Sequence, residues 1–95
     1  MKVALTAQAE DELVGAARFH ATQASAALGL AFIEEVERAC RLLVEQPLLG
    51  AVWRGSTRRL ALRRFPFNMN HQLHGDEIRV IAIAHQRRKP GYWAS

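Results

Sequence analysis

The apolar positions along the chain change their period twice, and each change marks a change of element. Lys2 to Leu5 alternates weakly and carries Val and Leu, enough for one short strand ahead of Thr6. Thr6 reads as a helix N-cap. Glu10, Asp11 and Glu12 fall in the early turns, where the helix dipole favours negative charge, and Ala9, Leu13, Ala16 and His20 recur along one face. A first helix over about residues 7–22 follows. Ser25 offers a second N-cap, after which Leu28, Phe32, Val36, Ala39 and Leu43 form an apolar stripe at helical spacing. Glu34, Glu37, Arg38, Arg41 and Glu45 are left for the wet side. This helix must stop before Pro47, because proline disfavours helix in the residue ahead of it. Leu48, Leu49, Gly50 and Gly55 are assigned to a connecting loop that also carries Trp53.

From residue 58 the rhythm becomes two. Leu60 and Leu62 share one face of a strand, with Arg59, Ala61 and Arg63 on the other, and Pro66 places a bend or an edge after them. Phe67, Met69, His71 and Leu73 alternate with Asn68, Asn70 and Gln72, the pattern of a half-buried strand. His74-Gly75-Asp76 supplies turn residues. EIRVIAIAH is then nearly continuous in apolar residues, as a central strand covered on both faces requires. The order β-α-α-β-β-β predicts an α+β fold, with both helices on one face of a mainly antiparallel sheet and the first strand at an edge.

Length fits this plan: 95 residues suit one core, so residues 1–95 are expected to form a single domain. No run approaches the about 18 apolar residues of a membrane span, and the N-terminus turns acidic after one short apolar stretch. A cytoplasmic address without membrane contact is expected. The single Cys40 excludes an intramolecular disulfide and a multi-cysteine zinc site, and on a helix it reads as core filler.

Charge changes the picture more. Residues 1–53 hold four cations against seven acids, whereas residues 54–95 hold nine cations against Asp76 and Glu77. One half of the chain is a polycation and calls for an anionic partner, nucleic acid or an acidic protein segment. Arginines spaced two apart on a strand point the same way about 7 Å apart, close to the phosphate repeat of a nucleic-acid strand. The same guanidinium groups suit bidentate carboxylate pairing. Arg58, Arg59, Arg63, Arg87, Arg88 and Lys89 are the candidate binding residues, with Arg59 and Arg63 expected on the sheet face away from the helices.

Metal-independent RNA cleavage needs a general base, an acid for the leaving oxygen and a cation for the added charge. His85, Tyr92 and the arginines Arg63, Arg64 and Arg87 are the right residue types. His71 falls at an inward strand position and reads as a satisfied core histidine, while His20 and His74 read as surface or helix-edge residues. No pair of His or carboxylates has metal-ligand spacing and no Gly-rich loop follows a strand, so neither metal nor cofactor is expected. Near the C-terminus, Pro90-Gly91 suits a turn that sends Tyr92 and Trp93 back as a cover.

The joint pattern of a helix ending near Gln46-Pro47-Leu48-Leu49-Gly50 and then RRLALRRFPF, an apolar last strand and AHQRRKPGYW resembles the RelE/ParE superfamily of bacterial type II toxins over nearly the whole chain. The resemblance implies a growth-inhibiting toxin held inactive in a hetero-oligomer by a cognate antitoxin, often one with a ribbon-helix-helix domain, in a plasmid-stabilisation or stress role. RelE-like members cleave mRNA on the ribosome, a role that maps here onto Arg63, Arg64, His85, Arg87 and Tyr92. ParE-like members inhibit DNA gyrase without a known active site and commonly show a His-x-Arg-Arg-x-Pro stretch, as at His85, Arg87, Arg88 and Pro90. That second match is the closer one, and gyrase inhibition is the function expected, with mRNA cleavage as the alternative.

Overall fold

In the computed structural model, which describes residues 1–87, a strand β1 (Lys2–Leu5) leads into two helices, α1 (Ala7–Gln23) and α2 (Ala26–Glu45). Four strands follow: β2 (Ala51–Arg54), β3 (Thr57–Ala61), β4 (Phe67–His74) and β5 (Glu77–His85). They form one five-stranded sheet in the order β1-β5-β4-β3-β2. All neighbours are antiparallel except β1 and β5, which run parallel through the helical crossover. The α+β arrangement expected from the sequence is therefore the one observed, with one strand more than expected. Residues 51–54, assigned to a loop around Trp53, form β2 instead, pairing with β3 in a register that shifts between Val52 and Arg54.

Both predicted N-caps are in place. The Thr6 hydroxyl accepts from the Ala9 N–H at 3.1 Å, and the Ser25 hydroxyl accepts from the Leu28 N–H at 3.1 Å. Each satisfies one of the donors that a helix start leaves orphaned. The stripe on α2 buries Phe32, Val36, Ala39 and Leu43 against Met69 of β4 and Ile78, Val80 and Ile83 of β5. Gly29 sets how closely the helices cross. A Cβ there would stand 2.7 Å from the Ala17 carbonyl oxygen and 2.9 Å from the Ala21 Cβ, so only glycine lets α2 lie on the α1 backbone.

The sheet contains one irregularity with structural reach. Asn70 pairs with Ala82 but His71 with Val80, so Ile81 of β5 is the extra residue of a bulge. Before the bulge β5 uses even-numbered residues against β1: Lys2 N–H donates to the Asp76 carbonyl at 3.2 Å and Thr6 N–H to the Val80 carbonyl at 3.0 Å. After it, the odd-numbered residues face that edge, where β1 has already ended. Helix α1 takes over from the strand. The Thr6 hydroxyl donates to the Ile81 carbonyl at 3.2 Å, and the Glu12 carboxylate accepts from the Ile83 N–H at 2.9 Å.

Candidate functional site

The arginines of the polycationic half do not share one surface. Strand β3 ends at Ala61, so Arg63 leaves the sheet and does not stand beside Arg59 on its outer face. Its backbone N–H donates to the Glu35 carboxylate on α2 at 2.5 Å. Glu35 in turn receives a bidentate pair from Arg38, at 2.7 and 2.8 Å. The Arg38 hydrogen bond first, and then the Arg63 backbone N–H, hold the Glu35 carboxyl below its ordinary range against the opposing effect of burial. Arg64, next in the bend, adopts φ +68°, a left-handed conformation that a non-glycine residue reaches only when its surroundings impose it. Its guanidinium lies 5.7 Å from the Phe65 ring centroid.

The β2–β3 hairpin carries a second group. The Arg54 guanidinium lies 4.6 Å and that of Arg59 5.8 Å from the centroid of the Trp53 ring. Arg59 pairs across the sheet with Asn70, on the face opposite Leu60 and Met69, so this group looks away from the helices as expected. Arg58 points the other way and donates to the Gly50 carbonyl at 3.0 Å.

The histidines divide in a way the sequence did not indicate. His71, opposite Arg58, is 1% exposed, and its Nε2 has no hydrogen-bond partner, so it is buried as expected but not satisfied. Burial, and then the charge of Arg58, lower its basicity and keep it neutral at physiological pH. His20, expected at the surface or the helix edge, is instead half-buried among aromatic rings. It stacks on Phe32 at 5.4 Å and meets Phe65 edge-on at 5.1 Å, with Nδ1 2.7 Å from the Ala16 carbonyl. His74 is exposed, as expected. Cys40 is half-buried beside the core, where burial pushes its thiol pKa up, as inert filler requires.

His85 ends β5 opposite Phe67, with ring centroids 5.1 Å apart, and its Nδ1 accepts from the Arg87 N–H at 3.1 Å. The Gln86 N–H donates to the Pro66 carbonyl at 2.8 Å, which brings the 62–66 bend and the 85–87 turn to one end of the sheet. The side chains then separate into two clefts. Arg64 and Phe65 line one with Glu34, Glu35, Arg38 and Arg41 of α2. His85 lines another, about 360 Å³ in volume, with Glu12, Gly15, Ala16 and Phe19 of α1 and Phe67, Ile83 and Ala84 of the sheet. Arg88, Lys89, Tyr92 and Trp93 lie outside the described residues, as does the Pro90-Gly91 turn. Among the described residues no three His, Cys, Asp or Glu side chains group as a metal site, and no helix is long and apolar enough to cross a membrane.

Three features escape a reading of the sequence. Glu12 and Glu35 look like solvated helix acids, because their backbone partners lie 71 and 28 residues away. Trp53 and Arg54 stand between Gly50 and Gly55 and so look like loop, although Val52 and Trp53 are strand-forming types.

No curated protein sequence matches the chain. Among solved structures, the chromosomal ParDE toxin-antitoxin system from P. aeruginosa has a chain of the same fold, with a TM-score of 0.78 at 20% identity over 90% of this chain and 95% of that one. The family model described as the ParE toxin of the type II toxin-antitoxin system, parDE, matches residues 3–90. With the fold and nearly the full length accounted for, the chain belongs to the ParE family of type II toxins.

Proposed function

We propose that this ParE-family chain arrests growth by binding DNA gyrase and trapping its cleaved DNA, and that a cognate antitoxin holds it inactive. The observation that carries the choice of target is the separation of the two clefts. Cutting RNA without a metal requires a base, an acid and a cation around a single phosphate. Here Arg64 and His85 line different cavities, and Arg63 is bound through its backbone to Glu35. A protein that acts by binding needs no such convergence. Its cations can be distributed over a surface, as they are between the β2–β3 hairpin and the 62–66 bend.

The setting is the cytoplasm, where gyrase works, and the role is plasmid or locus stabilisation through an antitoxin that is continuously replaced. The antitoxin carries the opposite charge to the polycationic half and orders on binding. Purified chain is expected to inhibit gyrase supercoiling in a dose-dependent way and to accumulate cleaved DNA, with both effects reversed by the antitoxin. Supercoiling that is untouched at every dose while the chain still kills cells would overturn this target. Codon-phased cuts in mRNA under those conditions would assign the ribosome-dependent endonuclease activity in its place.

A further inference from the structure

We propose that Arg64 is kept in a left-handed turn for the sake of its side chain, and that its guanidinium, with those of Arg63 and Arg41, binds the phosphodiester backbone of DNA. Through this contact the toxin holds the cleaved DNA on gyrase. The proposal rests on the gyrase reading above and adds a DNA site to it.

The turn itself serves the sheet. The Leu62 N–H donates to the Phe67 carbonyl at 2.9 Å and the Phe67 N–H to the Phe65 carbonyl at 2.8 Å, so residues 63–66 close β3 onto β4. Short closures of this kind often need a residue at positive φ. Among the described residues the other positions with positive φ, Gly50, Gly55 and Gly75, are all glycines. At φ +68° the Cβ of Arg64 crowds the following carbonyl oxygen, a contact that glycine avoids. Folding alone favours glycine or asparagine there, so the choice of arginine points to a use for the side chain. Within the fold that use is slight. The guanidinium has no ion pair among the described residues and lies 5.7 Å from the ring centroid of Phe65, which is already buried.

The surroundings of Arg64 select the ligand. Glu35 is occupied by the bidentate Arg38 pair and by the Arg63 N–H, which together fix the bend from the α2 side. Arg63 is thereby held through its backbone while the residue stays exposed. Arg41 and Glu34 of α2, both exposed, line the cleft that Arg64 enters from the bend. Three guanidinium groups thus stand against one acid, Glu34, that is not already paired with Arg38. A protein partner would want a large apolar anchor, yet the bend exposes Ala61, Arg63, Arg64 and Pro66 and buries Leu62 and Phe65. Nucleic-acid interfaces are instead polar and positively charged, and most of their hydrogen bonds go to phosphate and sugar oxygens. Such contacts carry no sequence information, as suits a toxin that acts wherever gyrase cuts.

Arg64→Gly relieves the turn and removes the guanidinium together, so it separates the two roles. Its urea unfolding midpoint should equal or exceed that of the wild type. Its affinity for a fluorescein-labelled DNA duplex of mixed sequence, read by anisotropy at low salt without gyrase, should fall roughly fivefold, with a shallower salt dependence. Arg64→Lys keeps the charge and should retain most of the binding. Arg18→Ala, which removes a cation of α1 outside this cleft, should bind within about twofold of the wild type. In the supercoiling assay Arg64→Gly should need a correspondingly higher dose. A lower unfolding midpoint for Arg64→Gly would make the side chain structural and overturn the proposal. A wild type that does not bind the duplex, or an Arg64→Gly variant that binds it equally well, removes the DNA contact and leaves the gyrase reading standing. Equal loss in Arg18→Ala would mean that only net charge is sensed and likewise overturns the site. Weakened binding of Arg64→Gly to gyrase without DNA, with duplex binding intact, would assign the arginine to a protein contact and overturn it too. A wild type that leaves supercoiling untouched overturns the gyrase reading and not the site, which the duplex measurement reads on its own.

Discussion

The two faces of the sheet are made from the same strands and obey different rules. On the helix side, Met69, Ile78, Val80 and Ile83 meet Phe32, Val36, Ala39 and Leu43 in a closed apolar layer. On the other, Arg59 lies over Trp53, and Thr57 accepts a 2.8 Å hydrogen bond from Gln72. The first face is held by exclusion of water and depends on shape. The second is mixed: Thr57, Asn70, Ala82 and Ala84 are buried on it, whereas the arginines around Trp53 are exposed and make contacts that water also satisfies, so those contacts contribute little to folding and their value lies in what they present to a partner. Substitutions at buried positions should therefore cost stability, and those at the exposed arginines association.

The largest loss is expected at Phe32. It is fully buried, stacks on His20 and meets Phe65 and Phe67 edge-on at 5.1 and 5.0 Å. Phe32→Ala should cost about 3–5 kcal/mol through lost burial and the cavity left behind. Urea unfolding followed by circular dichroism reads this directly, and a midpoint unchanged within error would mean that the aromatic cluster is not the centre of the core. Gly29→Ala comes next. In an ordinary helix interior this change stabilises by about 1 kcal/mol, but here the added methyl meets the Ala17 carbonyl oxygen. A net loss of about 1–3 kcal/mol is expected instead, as for other overpacked sites.

How far each face can be read from sequence follows from the same contrast. The α2 stripe is legible because burial imposes a period of 3.6 on five residues in a row, and both N-caps carry local chemistry. Strand β2 is not legible, because four residues between two glycines have no room to show a period. Nor is the departure of Arg63 from the sheet. Leu60, Leu62 and the arginines continue a perfect alternation past Ala61, and the bend is imposed by Glu35 from α2 with Arg64 forced to positive φ, where no glycine or asparagine announces it. The aromatic setting of His20 is likewise tertiary: three of the four rings around it come from α2 and the 65–67 segment. Among exposed arginines, one that binds and one that is only solvated are the same letter.

Acid titration should expose two perturbed groups, buried His71 and the Glu35 carboxyl that receives Arg38 and the Arg63 N–H. His71 is buried neutral, so the unfolded chain takes up its proton first as pH falls below the ordinary imidazole value of 6.5. Its contribution is thus complete above that value and is lost on acidification, by at most about 1.4 kcal/mol per pH unit for one proton. His71→Leu should flatten this part of the stability profile. The Glu35 carboxyl is held below the ordinary value of 4.5, so its contribution is present at neutral pH and disappears only as pH falls through that lower range. Glu35→Gln should remove the second phase and leave the first. Chemical denaturation from pH 7 down to about pH 2, through both ranges, would show two separable slopes in the wild type, and a single common slope would break the assignment.

The smallest effect on stability is expected from the hairpin, and it is the sharpest test of what its exposed arginines are for. Arg54 and Arg59 lean on Trp53, contacts worth about 0.5–1 kcal/mol each at exposed sites. Removing both as Arg54→Ala/Arg59→Ala should move the unfolding free energy by no more than about 1 kcal/mol, far below the loss at Phe32. If these cations steer the antitoxin, stopped-flow association at low salt should slow by roughly tenfold in the double variant, and the gap should close as salt rises. A charge-matched control on the helices, Arg18→Ala/Arg41→Ala, removes the same net charge away from the hairpin. Equal slowing in both variants would mean that only total charge matters. A slower rate in the hairpin variant alone would show that the guanidinium groups around Trp53 form a defined part of the encounter surface, spaced by the sheet and not merely dissolved at its edge.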